Sequence, residues 1–252
     1  MPLLARLKGL PLGVLAIEFT VVVLGILGAL AVDSWWDGVQ ERKVESEYLL
    51  RLCSDLQLSR DSLVTDIALG RRRADSTRLV LNELRTGPNP GGAELLRKAI
   101  GLATYISIWF PFHTTYEELH STGNLALITN EVLRADLGAY DRLVEDNADL
   151  DDFAEKWYLA SIEPILLRSL IYSDVQPGWA ERRDIPGSRF EEDFSSLYED
   201  RLLWNALTMK LDLEETVLET RERALRELDI VLKLIEEELV ARRLSSGGPP
   251  AS

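Results

Sequence analysis

His113, Glu117 and His120 have the strongest claim to chemistry in this sequence. Spacings of four and three put all three on one face of a helix. Imidazole and carboxylate in that pattern can hold a divalent metal, and Glu117-x-x-His120 echoes the Glu-x-x-His half-site of di-iron helical bundles. Such sites use two of these pairs, whereas the chain has only two histidines in all. What remains is a single ion completed by water. The competing reading is an amphipathic helix whose histidines are polar surface groups, and it is the one adopted here, with no metal and no cofactor expected.

Other charged groups are weaker candidates. Asp149, Asp151 and Asp152, or Glu236, Glu237 and Glu238, supply oxygen ligands for calcium but lack the glycine-bearing loop of an EF-hand. Arg71, Arg72 and Arg73 form a short basic run that suggests an anion site. In a long polar helix these groups read more simply as solvated faces. Cys53 is the only cysteine, which excludes an intrachain disulfide and a zinc site built on several thiolates. There is no phosphate loop, nucleophile elbow or dinucleotide-binding glycine pattern. No catalytic residue is expected.

The element that organises the chain is Leu12 to Val32, apolar throughout except for Glu18 and Thr20. As a helix it spans roughly 30 Å, the thickness of a bilayer's hydrocarbon core. Trp35 and Trp36 follow as interfacial anchors. Glu18, Gly25 and Ala29 fall on one face, and Gly25-x-x-x-Ala29 permits close approach of another membrane helix. Glu18 either snorkels to the headgroups or is buried against a partner helix. A cleaved signal peptide is the rival reading, because Ala29-Leu30-Ala31 is an A-x-A pattern. The apolar run is longer than a signal core of about 7–15 residues, which favours a retained anchor.

Charge sets orientation and excludes some partners. Arg6 and Lys8 precede the span, whereas Asp33 and Asp37 follow it, so the expected N-terminus is cytoplasmic. In a bacterium this places a single-pass protein in the inner membrane with most of the chain in the periplasm. Residues 1–32 carry a net charge of +1 and the remainder −15. An acidic domain of that size repels nucleic acid, so the expected partners are the membrane and either a membrane or envelope protein or a second copy.

Beyond the span the pattern is helical. Leu49, Leu52, Leu56, Leu63 and Ile67 form a stripe, with Cys53 beside it as a small buried hydrophobe. Gly87 to Gly92 breaks the helix, and a short helix from Ala93 to about Ala103 follows. The aromatic run Tyr105 to Phe112 is expected to plug the core, with an exposed docking patch as the alternative. A helix from Thr114 ends at Gly123 and Asn124, where glycine suits a left-handed cap. Asn130 caps the next helix, which Pro164 should kink or end. Ser188 to Glu191 fits a capping box opening a helix to Arg243, with a seam of Leu218, Leu225, Leu228, Leu232, Ile235 and Leu239. Antiparallel pairing of that helix with residues 33–85 follows. The expected fold is all-α: a transmembrane helix at 12–32 continuing into an elongated antiparallel helical bundle at 33–244. A short cytoplasmic segment at 1–11 and a disordered tail at 245–252 complete it.

Two stretches resemble an uncharacterised bacterial family of single-span membrane proteins, a domain of unknown function. The first is Ala16-Ile17-Glu18-Phe19 through Val23 to Leu30, followed by Asp33-Ser34-Trp35 and Glu47-Tyr48-Leu49. The second is Thr115-Tyr116-Glu117-Glu118-Leu119, then Ser121-Thr122-Gly123-Asn124-Leu125, Leu127-Ile128 and Asn130. Trp36-Asp37 departs from the Asn-Trp-Asn-like run more usual there. The resemblance covers about the first 145 residues, implies a single-span helical protein and carries over no catalytic residue. Tyr116, Glu117, Gly123 and Asn124 read as a folding element. The function expected is a membrane-anchored interaction or scaffold protein. A sensor-like ligand-binding domain acting through a partner membrane helix, or a metal-binding protein, are the alternatives.

Overall fold

A computed structural model describes residues 12–175, 183–190 and 194–245. The expected cytoplasmic segment, the Pro177-Gly178-Trp179 loop, Glu191 of the capping box and the tail after Ser245 lie outside the described residues. Every regular element described is helical, so the all-α expectation holds. Two compact units can be distinguished, residues 1–50 and residues 51–252.

The first unit belongs to helix α1, Leu12–Thr86. Its apolar stretch is long and hydrophobic enough to cross a membrane, and the described side chains of that stretch are unburied. Leu24, Leu27 and Leu30 are exposed, as an environment of lipid tails would require. Trp35 and Trp36 are exposed too, their rings tilted at 57° with centroids 6.4 Å apart.

The second unit is the bundle. Residues 51–86 of α1 pair antiparallel with helix α7, Arg201–Ser245. The direction is set by ion pairs whose numbers run oppositely: Arg60 with Asp229, Arg71 with Glu222, and Arg78 with Glu215. The stripe of Leu52, Leu56, Leu63 and Ile67 is buried, as are Leu218, Leu228, Leu232 and Ile235 of the facing seam. Gly70 lets the two helices close, because a Cβ there would lie 2.7 Å from Leu218. Cys53 is half-buried rather than part of the core, since it sits one position off the stripe.

Gly87 and Gly91 take positive φ at the predicted break, and helix α2 follows at Gly92–Thr104. Its end docks on α1, where Ser76 and Thr77 hydroxyls donate to the carbonyls of Ala99 and Ala103 at 3.0 and 3.1 Å. Helix α3, Thr114–Ser121, ends at Gly123 with φ +72°, as the sequence predicts. After a 3-10 turn at Asn124–Leu127, helix α4 runs Glu131–Trp157, and the Asn130 side chain accepts from the Leu133 amide at 3.1 Å.

The α-helix from Asn130 stops seven residues short of Pro164. A π turn at Tyr158–Ile162 intervenes, and the helical backbone continues through it into helix α5, Glu163–Ser169, with Pro164 in the first turn after the wider π turn. A single turn, α6 at Tyr172–Val175, follows. The predicted capping box does not open the last helix. Ser188 Oγ accepts from the Phe190 amide at 3.0 Å, a local turn, while Phe194–Glu199 is a 3-10 helix. Asp200 is the true cap of α7, accepting from the amides of Leu202 and Leu203 at 2.9 and 3.1 Å. One end of the bundle is filled by an apolar core from α1, α2, the π turn, α5 and α7, including Val80, Leu96, Ile100, Ile162, Leu166 and Leu207.

Candidate functional site

Residues 105–113 run extended between helices, and their backbone groups find side chains instead of a ladder. Ser59 Oγ accepts from the Phe112 amide at 2.6 Å and donates to the Phe112 carbonyl at 2.8 Å. The Trp109 amide donates to Asp151 at 2.8 Å and its indole N–H to Ser62 at 3.1 Å. Only Trp109 of the aromatic run is a core plug. Phe110 is 75% exposed and Tyr105 and Phe112 about half exposed, which corrects the expectation that the run closes the core. Once the backbone is fixed as extended, alternate side chains must point away from the bundle.

Beneath this segment lies a buried ionic network. Arg221, fully buried, bonds both oxygens of Asp151 at 2.7 and 2.9 Å, pairs with Asp66, and donates to the Ser107 carbonyl at 3.2 Å. Ser107 Oγ donates to Asp66 at 2.7 Å. Nearby Arg73, 1% exposed, holds Glu214 at 2.7 Å, and Glu214 also pairs with Lys210. Burial raises the Asp151 carboxyl against the pull of Arg221, and burial lowers the Lys210 ammonium despite Glu214. Burial also pushes the Glu214 carboxyl upward, but the bonds from Arg73 and the charge of Lys210 outweigh it and hold the group low. Two expectations are corrected here. Asp151 and Arg73 are core residues, not parts of solvated faces, although Asp149, Asp152, Arg71 and Arg72 are exposed.

The residues of the second motif have separable positions. Thr115 donates through its amide and hydroxyl to Asp55 of α1, at 3.0 and 2.7 Å, so a distant carboxylate caps α3. Leu119 is fully buried, and Glu118 pairs with Arg51 at 2.5 Å. His113 Nε2 lies 3.1 Å from Glu117, while His120 stacks on Tyr116 with centroids 6.0 Å apart. These three candidates are thus neighbours but do not converge on a point. Among the described residues, no group of three or more His, Cys, Asp and Glu is arranged to hold a metal. The turn at Gly123 and Asn124 is closed by bonds to the Glu118 and His120 carbonyls, not by Tyr116 or Glu117 side chains. Tyr116 is buried instead under α4, where burial and the adjoining Asp141 carboxylate raise its hydroxyl.

Tyr116, Glu117, His113 and His120 form one wall of a cavity of about 610 Å³. Trp109, Phe110 and Pro111 form a second wall, and Val144, Ala148 and Glu155 of α4 a third. Six carboxylates line it (Glu117, Asp141, Glu145, Asp151, Asp152 and Glu155), with no lysine or arginine among the lining residues. The sequence signalled the α3 wall through its motif. The α4 wall was hidden in an ordinary acidic helix. Glu18, Gly25 and Ala29 lie on the first unit, exposed, and nothing stands within 4 Å of a Cβ built on Gly25.

The class defined by this geometry is an all-α protein with one helix able to cross a membrane and a helical bundle holding an aromatic, acidic cavity. The chain matches no protein-family model, no curated protein and no solved structure.

Proposed function

We propose that this is a membrane-anchored, non-catalytic binding module whose bundle captures a ligand in the cavity between α3, α4 and the extended segment. The observation that carries the reading is the cavity itself. Its volume lies within the roughly 300–1,000 Å³ typical of small-molecule sites, and its walls combine apolar and aromatic surface with carboxylates and two imidazoles. The two motif histidines fit this role better than a metal site, because each is already engaged with a neighbouring wall residue. Anchoring in a bacterial inner membrane, N-terminus inside and bundle in the periplasm, is proposed from the basic residues before the span and the acids after it. Membership of the single-span family is likewise proposed, on the two motif stretches.

The test is a fragment screen by ligand-observed NMR on the full-length protein in nanodiscs, with cationic, neutral and anionic fragments equally represented. Ala148→Trp fills the cavity from an exposed position on α4. Hits lost in Ala148→Trp, with the circular dichroism unchanged, support the reading. Absence of any hit sensitive to that substitution overturns it.

A second reading rests on the first unit. Gly25 and Ala29 offer a small-residue face with nothing packed on it, which suits a membrane-helix partner or a second copy. Crosslinking in native membranes tests this: specific partners lost in Gly25→Leu or Glu18→Leu make the span a recognition surface. Partners that persist in both variants leave it a tether.

A further inference from the structure

We infer that the cavity selects an organic cation, an ammonium or guanidinium carried on an apolar body. This deepens the binding-module reading and rests on it. Some of the lining charges are already neutralised. Asp151 is held by Arg221 and Asp152 by Lys156 at 2.5 Å, while Glu117 has His113 Nε2 at 3.1 Å. Glu145 and Glu155 have no ion-pair partner among the described residues, Asp141 is engaged only with the Tyr116 hydroxyl, and all three lie on α4, where steps of four and ten residues bring them to one side of the cavity. Arg142, whose charge acts on Tyr116, stands outside the lining.

Aromatic side chains share the lining with these carboxylates: Trp109, Phe110 and Tyr116. Trp109 and Tyr116 are each only 6% exposed, and Tyr116 is stacked on His120, so Phe110 is the ring with a face open to a ligand. Phe110, 75% exposed, flanks the mouth. Rings attract a cation through their negative faces, and an ammonium or guanidinium is the group that gains from rings and carboxylates together. An anion would be repelled by Glu145, Glu155 and Asp141. A neutral apolar molecule would fill the volume but leave their field unused. The volume far exceeds that of a bare metal ion and lies in the range that takes drug-sized organic molecules. Charge complementarity thus commits the site to one occupant class.

Three ring-matched probes separate the possibilities on the full-length protein in nanodiscs: benzyltrimethylammonium, N-benzylacetamide and phenylacetate, each titrated by ligand-observed NMR. The expected order is cation tighter than amide by at least tenfold, with phenylacetate weakest. Glu145→Gln combined with Glu155→Gln should weaken the cation about tenfold and leave the amide unchanged. Ala148→Trp should abolish both. Equal affinities, or a preference for phenylacetate, would overturn the cation assignment while leaving the cavity a binding site. Failure of all three probes to bind, or binding untouched by Ala148→Trp, would overturn the cavity reading and the cation assignment with it.

Discussion

At the scale of the residue, the bundle's unusual feature is charge placed where aliphatic side chains are the rule. Arg73, Glu214 and Lys210 are all under 10% exposed, so each depends on the others for compensation. Removing the shared carboxylate leaves two buried cations facing each other. Glu214→Gln should therefore cost about 3–5 kcal/mol, read as unfolding midpoints in detergent. Arg71→Gln breaks an exposed pair with Glu222 and should cost less than about 1 kcal/mol. Acidity acts through the same group. Because Glu214 titrates lower in the folded chain than unfolded, its contribution is complete above its ordinary value of 4.5. That contribution is lost as pH falls through its folded value, so stability should drop on acidification below 4.5, and this part of the drop should vanish in Glu214→Gln. Arg73 was open to detection in the sequence. Ile67, Gly70, Ala74 and Thr77 continue the stripe of α1, and Arg73 falls among them. A basic triplet read as a unit hid the fact that its members face different ways.

At the scale of the element, helices were legible wherever local residues decide them. The apolar stripe, the Gly87–Gly91 break, the Gly123 stop and the Asn130 cap depend on side chains within a few positions. The start of α7 misled because two caps compete, Ser188 and Asp200, and periodicity does not distinguish them. Asp200 has the amides of Leu202 and Leu203 and a further ion pair with Arg168 at 2.7 Å. Asp200→Ala should lower stability by about 1 kcal/mol, while Ser188→Ala should leave the melting curve unchanged. The extended segment was illegible for a different reason. Its bonds come from Ser59, Ser62 and Asp151, each more than 40 positions away. Ser59→Ala removes both partners of Phe112 and should cost about 1–3 kcal/mol. Faster hydrogen exchange at the Phe112 amide would locate the damage.

At the scale of the whole molecule, the sequence showed the helical class and the apolar stretch but not the cavity, because a cavity needs three walls and the α4 wall carried no signal of its own. The α4 wall is set by the depth at which Asp151 meets Arg221, a distance of 70 positions along the chain. If the span is a retained anchor, full-length protein should stay with membranes after an alkaline wash, and replacing residues 12–32 with a polar linker should release it. The Asp66–Arg221 pair has one further consequence, in time. Its two halves are 155 residues apart, so at about 5–20 residues per second the ribosome makes Arg221 roughly 8–30 s after Asp66. Through that interval Asp66 has no guanidinium, and the Leu52–Ile67 stripe has no α7 to cover it. A nascent chain of this protein is therefore sticky for most of its synthesis and closes late, at one stroke, when its last helix arrives.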